Sequence, residues 1–197
     1  SGNSHNFVGS LVHLNNTLTD KLTLDFGVAL STYRGIHYRR VDNLLGADGY
    51  RDFDNVNYSG GSAVRTTTYG SDIGDLWNVF KDTDNEEKID YHNDGFVRWS
   101  GVFGQLEYSN DDLSVFIQGA VSNQGFQREE FFNETPGNQK TDWKNISGGN
   151  IKGGANYNID AKSNVYVNAG TYSKQPNFDA VYICLLYTSD AADDLGR

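Results

Sequence analysis

Apolar and polar residues alternate along three stretches of this chain, and each stretch is folded on itself by a short polar segment. The stretches are Phe7 to Tyr33 around Asn15 to Asp20, Val97 to Ser122 around Ser109 to Asp112, and Ile151 to Tyr172 around Asn158 to Ser163. A period of two is the signature of a strand that shows different solvents on its two faces. Splitting by parity puts Leu22, Leu24, Phe26, Val28 and Leu30 on one face, against Thr23, Asp25, Gly27, Ala29 and Ser31. Leu113, Val115, Ile117, Gly119 and Val121 stand likewise against Ser114, Phe116, Gln118, Ala120 and Ser122. The last strand gives Val165, Val167 and Ala169 against Asn164, Asn168 and Gly170, with Tyr166 and Tyr172 on the polar parity.

The partner strands split less cleanly. Val102, Gly104, Leu106 and Tyr108 oppose Gly101, Phe103, Gln105 and Glu107, and Ile151, Gly153, Ala155 and Tyr157 oppose Asn150, Lys152, Gly154, Asn156 and Asn158. Tyr108 and Tyr157 each end an apolar face just before a short turn, where interfacial girdle aromatics of a membrane barrel stand. The connections are unequal: short turns alternate with long segments, Arg34 to Gly95 and Asn123 to Ser147. A soluble sandwich turns tightly at both ends. Long loops at one end and short turns at the other are the plan of an outer-membrane barrel. The pattern therefore predicts an all-β, antiparallel fragment of about six strands of a large transmembrane β-barrel, open and curved, with long extracellular loops.

Composition sharpens this reading. The apolar fraction is 37%, Met is absent and aromatics make up 13%. Strands with lipid on one side and water on the other need only half their residues apolar, so such a chain reads as hydrophilic overall. No apolar run approaches the ~18 residues of a helical span. The net charge of −10 argues against nucleic acid as a partner. The single cysteine, Cys184, excludes an internal disulfide. From Cys184 to Asp194 the sequence is similar to the conceptual translation of a transposase sequencing adapter, so residues 183–197 are expected to be a non-native tail. The domain organisation expected is a partial barrel over residues 1–182 followed by that tail. The start in mid-strand, without a leader, adds the expectation of an internal piece of a longer protein.

Gly101-Val-Phe-Gly-Gln-Leu-Glu-Tyr108 with Leu113-Ser-Val-Phe-Ile-Gln-Gly-Ala-Val121 resembles a barrel hairpin of TonB-dependent outer-membrane receptors. So does Lys152-Gly-Gly-Ala-Asn-Tyr-Asn-Ile159 leading into Asn164-Val-Tyr-Val-Asn-Ala-Gly-Thr-Tyr172. Ser173-Lys-Gln-Pro-Asn-Phe-Asp-Ala180 resembles the stretch that follows a mid-barrel strand in that family, and Tyr33 to Tyr38 with Leu44 to Tyr50 resembles one of its surface loops. The resemblance covers about Asn6 to Val181. It implies the outer membrane of a Gram-negative bacterium, with outer-membrane lipid around the wall. It implies uptake of an extracellular nutrient ligand too large for porins: an iron chelate, cobalamin or an oligosaccharide. It also implies coupling to the TonB protein through a plug that these residues do not contain. The rivals are a passive porin or adhesin barrel, and a secreted all-β glycan-binding module.

No catalytic arrangement emerges, and neither an enzyme activity nor a cofactor is expected. His5, His13, His37 and His92 are scattered along the chain, and the parity of His13 with Phe7 and Leu11 suggests a wall position. Asp82-Thr-Asp84-Asn-Glu86-Glu87 opens like a calcium loop but lacks the Gly at the sixth position and the Glu at the twelfth. Arg39 and Arg40 beside Tyr38, with Trp77 and Phe80, are candidate ligand contacts, as are Phe126, Phe131, Phe132 and Trp143; packing among loops is the plainer expectation for each. Asn57, Asn133 and Asn145 head Asn-x-Ser/Thr triplets of the kind an Asn-rich chain produces by chance.

Overall fold

In the computed structural model, residues 1–68 and 88–182 are described. Among these residues eight strands follow one another: β1 (Gly2–Thr19), β2 (Leu22–Arg40), β3 (Tyr50–Asp52), β4 (Ala63–Arg65), β5 (Lys88–Ser109), β6 (Leu113–Glu130), β7 (Lys144–Asn158) and β8 (Asn164–Ser173). Six form one sheet in the order β1-β2-β5-β6-β7-β8, and β3 pairs with β4 in a separate antiparallel ribbon. The large sheet is open: β1 and β8 each have a hydrogen-bonded neighbour on one side only. The expectation of an open all-β sheet of about six strands holds.

Each turn is made by the chemistry of its residues. Asp20 and Lys21 join β1 to β2, with the Lys21 amide donating to Thr19 Oγ1 at 3.3 Å. Between β5 and β6, Asn110 Oδ1 accepts from the amides of Asp112 and Leu113 at 3.1 and 2.8 Å, an Asx turn that leaves few alternatives for the chain. Between β7 and β8, Asp160 Oδ1 accepts from the Lys162 amide at 2.7 Å.

The strands run further than alternation alone indicated. β1 continues through Asn15 to Thr19, where the sequence suggested a turn. The reason is local: Asn15 Nδ2 donates to Asp25 Oδ1 on the next strand at 2.8 Å, so this Asn is a water-facing strand residue. The connection expected from Arg34 to Gly95 is shortened from both sides, because β2 reaches Arg40 and β5 begins at Lys88. Arg34 and Arg39 read as loop residues because they are charged, yet they pair across strands with Asp94 and Asp90. The connection expected from Asn123 to Ser147 shrinks likewise, with β6 reaching Glu130 and β7 beginning at Lys144.

The chain gathers into two compact units. Of the described residues, one holds those of Ser1–Asn6, Tyr33–Phe96 and Gln127–Trp143, and the other holds those of Phe7–Thr32, Val97–Phe126 and 144–182. The three short turns belong to the second unit, and the longer connections belong to the first.

Within the second unit the register aligns the parity sets. Val115 faces Ala155, which faces Val167; Ile117 faces Gly153, which faces Ala169; Leu113 faces Tyr157, which faces Val165. The other face carries Ser114, Asn156 and Tyr166 in one row and Gln118, Lys152 and Gly170 in another. Because a one-residue slip would exchange the faces, this alignment is a property of the register and not of any strand alone. The apolar side stays uncovered: Ile117 is 53%, Val121 63% and Val167 68% exposed. A contiguous uncovered apolar face is rare on soluble monomers.

Phe103 and Phe116 break the alternation by standing on the polar side, and the structure explains both. The Phe103 ring lies where a side chain on Gly27 would go, 2.2 Å from the position its Cβ would take. Phe116 covers Gly154 in the same way, at 2.7 Å. Each ring shields a glycine backbone on a neighbouring strand, the device known as aromatic rescue.

After β8 the chain lies back on its own sheet. Gln175 Nε2 donates to the Ser122 carbonyl and hydroxyl at 3.2 and 2.7 Å. A helical turn over residues 178–182 sets Phe178 against Tyr182 and Phe126, with ring centroids 4.7 and 6.2 Å apart. Phe126, a candidate ligand contact in the sequence, is fully buried in this packing.

Candidate functional site

Polar chemistry concentrates in the unit that holds the longer connections. Asp94 on β5 is fully buried, and its Oδ2 lies 2.7 Å from Arg34 Nε and 2.6 Å from Arg34 Nη2. Two guanidinium nitrogens on one carboxylate fix both side chains in direction as well as distance. His92 Nε2 stands 3.3 Å from Asp94 Oδ1 and 3.2 Å from Lys88 Nζ, so it donates to the one or accepts from the other. Burial by itself would raise the Asp94 carboxyl; the His92 imidazole beside Oδ1, the hydrogen bonds from Arg34 and the Arg34 charge outweigh it and hold the group below its ordinary value. The His92 ring is stacked flat on Phe131, centroids 4.0 Å apart, with Phe132 at its edge. Phe131 and Phe132 therefore pack against a buried imidazole, the plainer of the two roles the sequence offered them.

A second cluster lies within the same unit. Asp52 is fully buried; its Oδ2 accepts from the Tyr58 hydroxyl at 2.8 Å, and Tyr58 in turn accepts from Arg65 at 2.9 Å. Asp90, in the left-handed region at φ 61°, accepts from Arg39 at 2.9 Å and from the Tyr50 hydroxyl at 2.8 Å. The hydrogen bond to Asp90, with some burial, pushes Tyr50 up to about 12. Oxygens of Asp52, Asp54 and Asp90 lie within 4.8 Å of one another. Arg39, Tyr50 and Tyr58 already donate to Asp90 and Asp52 in this cluster, while the buried Arg65 Nε has no hydrogen-bond partner among the described residues.

The remaining sequence candidates divide. Arg39 also stacks on Tyr91 at 5.5 Å, and Arg40 on Tyr38 at 5.9 Å. Tyr38 is itself buried. Asn57 is a clamp: its Nδ2 donates to the carbonyls of Phe131 and Glu134, both at 3.0 Å. His13 stands on the polar face, with Nε2 3.1 Å from Asp25 Oδ1 and its ring stacked on Phe103. Asp82 to Glu87, Trp77, Phe80 and Cys184 lie outside the described residues.

Three side chains that the sequence left scattered are brought together: His5, Tyr33 and His37. His5 Nδ1 is 2.6 Å from the Tyr33 hydroxyl, and the two imidazoles stand edge to face with centroids 6.2 Å apart. Their spacing along the chain carries no motif, since they meet only through the pairing of β1 with β2.

Compared with protein families, curated proteins and solved structures, the chain matches none.

Proposed function

We propose that the chain forms part of the wall of a TonB-dependent outer-membrane receptor for uptake of a large nutrient. One observation carries the reading: register aligns the apolar parities of β6, β7 and β8 on a face that no described residue covers, while the reverse is rich in Asn, Ser, Gln and Lys. A bilayer accepts such a ribbon, because hydrocarbon solvates one side and water the other. No helix among the described residues is long and apolar enough to cross a membrane, and a barrel needs none. In this reading the wall supplies binding and gating without bond breaking. Loops capture the ligand outside, and energy from TonB moves a plug to let it pass.

Deleting the gene and measuring growth on iron chelates, cobalamin and glycans as limiting sources tests the proposal. The expected result is a defect on one source, reproduced by removing the TonB protein. A defect indifferent to TonB would identify a passive porin instead, and no defect on any source would end the uptake reading.

A further inference from the structure

We infer that His5, His37 and Tyr33 form a binding site for a first-row transition-metal ion. All three have odd numbers on β1 and β2, the parity that carries His13 and Asp25 on the polar face. Two of them, Tyr33 and His37, meet over Gly35. A Cβ built there would stand 2.7 Å from the Tyr33 hydroxyl oxygen and 3.2 Å from His37 Nε2. The absent side chain therefore leaves a cradle bordered by one oxygen and one nitrogen donor. The Tyr33 hydroxyl is in turn 2.6 Å from His5 Nδ1, which adds a second nitrogen donor.

The other ring nitrogen of His37 is also held. His37 Nδ1 lies 3.1 Å from Asn3 Oδ1. An amide oxygen only accepts, so in this bond Nδ1 carries the proton and Nε2, 3.2 Å from the Gly35 Cβ position, is the nitrogen left to ligate. Metal-binding histidines are held by this kind of bond on their other nitrogen, which fixes the tautomer and the ring. Packing alone would be served as well by Phe at position 33; Tyr adds a hydroxyl in reach of an imidazole. Two imidazoles and a phenolic oxygen suit Cu²⁺, Zn²⁺, Ni²⁺ or Fe³⁺ and not Ca²⁺ or Mg²⁺. Bond lengths near 2.0–2.1 Å place tetrahedral ligand atoms about 3.3 Å apart. The His5–Tyr33 separation opens by well under an ångström to admit the ion, and the phenol proton leaves to solvent as the oxygen ligates. Three protein ligands leave a position open, and His5 is exposed.

The site does not depend on the transport reading, and a metal titration reports on it alone. The full chain, refolded in detergent, is titrated with Cu²⁺ followed by calorimetry and absorption, with Mg²⁺ as the control ion. Wild type is expected to bind one Cu²⁺ with a phenolate-to-copper band. His5→Asn and His37→Asn should each weaken binding at least tenfold, and Gly35→Ala, which fills the cradle without removing a ligand, should do the same. Tyr33→Phe should abolish the band, and His13→Asn should change nothing. Far-UV circular dichroism checks that each variant keeps its strands. No copper binding by wild type, or equal binding by the His5→Asn/His37→Asn double variant, overturns the site. So does a loss in His13→Asn as large as that in His5→Asn.

Discussion

The side chain of Asp94 shows how much one residue can carry. It is fully buried and accepts from Arg34 at 2.7 Å, and its carboxyl is held below the ordinary value against the opposing effect of burial. A carboxyl whose folded value is depressed contributes stability above its unfolded value, and that contribution is lost as pH falls through the folded value. Asp94→Asn should therefore destabilise the detergent-refolded chain by about 3 kcal/mol at pH 7, the cost of breaking a buried pair from one side. The gap between wild type and variant should close below about pH 4. Urea midpoints read by tryptophan fluorescence at pH 7 and pH 3 check this; equal gaps at both pH values would show that the charge on Asp94 contributes nothing.

At the scale of strands, the decisive contacts are between a ring and a bare backbone. Phe103 covers Gly27 and Phe116 covers Gly154, so two residues that spoil the alternation are what seal the polar face over its glycines. Gly27→Val puts side-chain atoms where the Phe103 ring lies, and should cost roughly 1–3 kcal/mol as overpacking does. The cost should fall when Phe103→Ala is added, because the two sites share one volume. Additive losses across the double-mutant cycle would mean that ring and glycine are independent. Gly119, by contrast, has only the Asn150 carbonyl near its Cβ position, at 3.5 Å, and a β-branched residue there should be tolerated.

For the molecule as a whole, the open sheet matters most. β1 and β8 leave backbone donors and acceptors without a strand partner on one side, the arrangement most prone to pairing with another chain. β1 aggravates this by exposing apolar residues of both parities, Phe7 and Leu11 as well as Val8 and Val12. The chain expressed alone should sediment or require detergent, and a soluble monomer with a sharp melt would contradict both the open edge and the lipid-facing reading. Within a bilayer, Ile117→Arg should cost about 2–4 kcal/mol and Gln118→Arg close to nothing, since only the former sets charge in hydrocarbon. Equal costs at these neighbouring positions, from urea unfolding in lipid vesicles, would remove the two-solvent assignment.

Strand type, the two later short turns and the identity of the two faces were legible in the sequence because each depends on neighbours within a few positions: parity, Asx chemistry and runs of β-branched residues; the first turn was not, since the chain turns only at Asp20 and Lys21. Strand length was not, because Asn15, Arg34 and Arg39 look like loop residues until their partners across the sheet are known. The buried network of Asp94 with Arg34 and His92, and the convergence of His5 with Tyr33 and His37, were invisible for the same reason. Arg34 is far from Asp94 in the chain, and His5 is far from Tyr33, and only the pairing of one strand with the next sets how close they come. Local chemistry chose the strands and their faces; hydrogen-bonded register, a long-range property, chose which side chains meet.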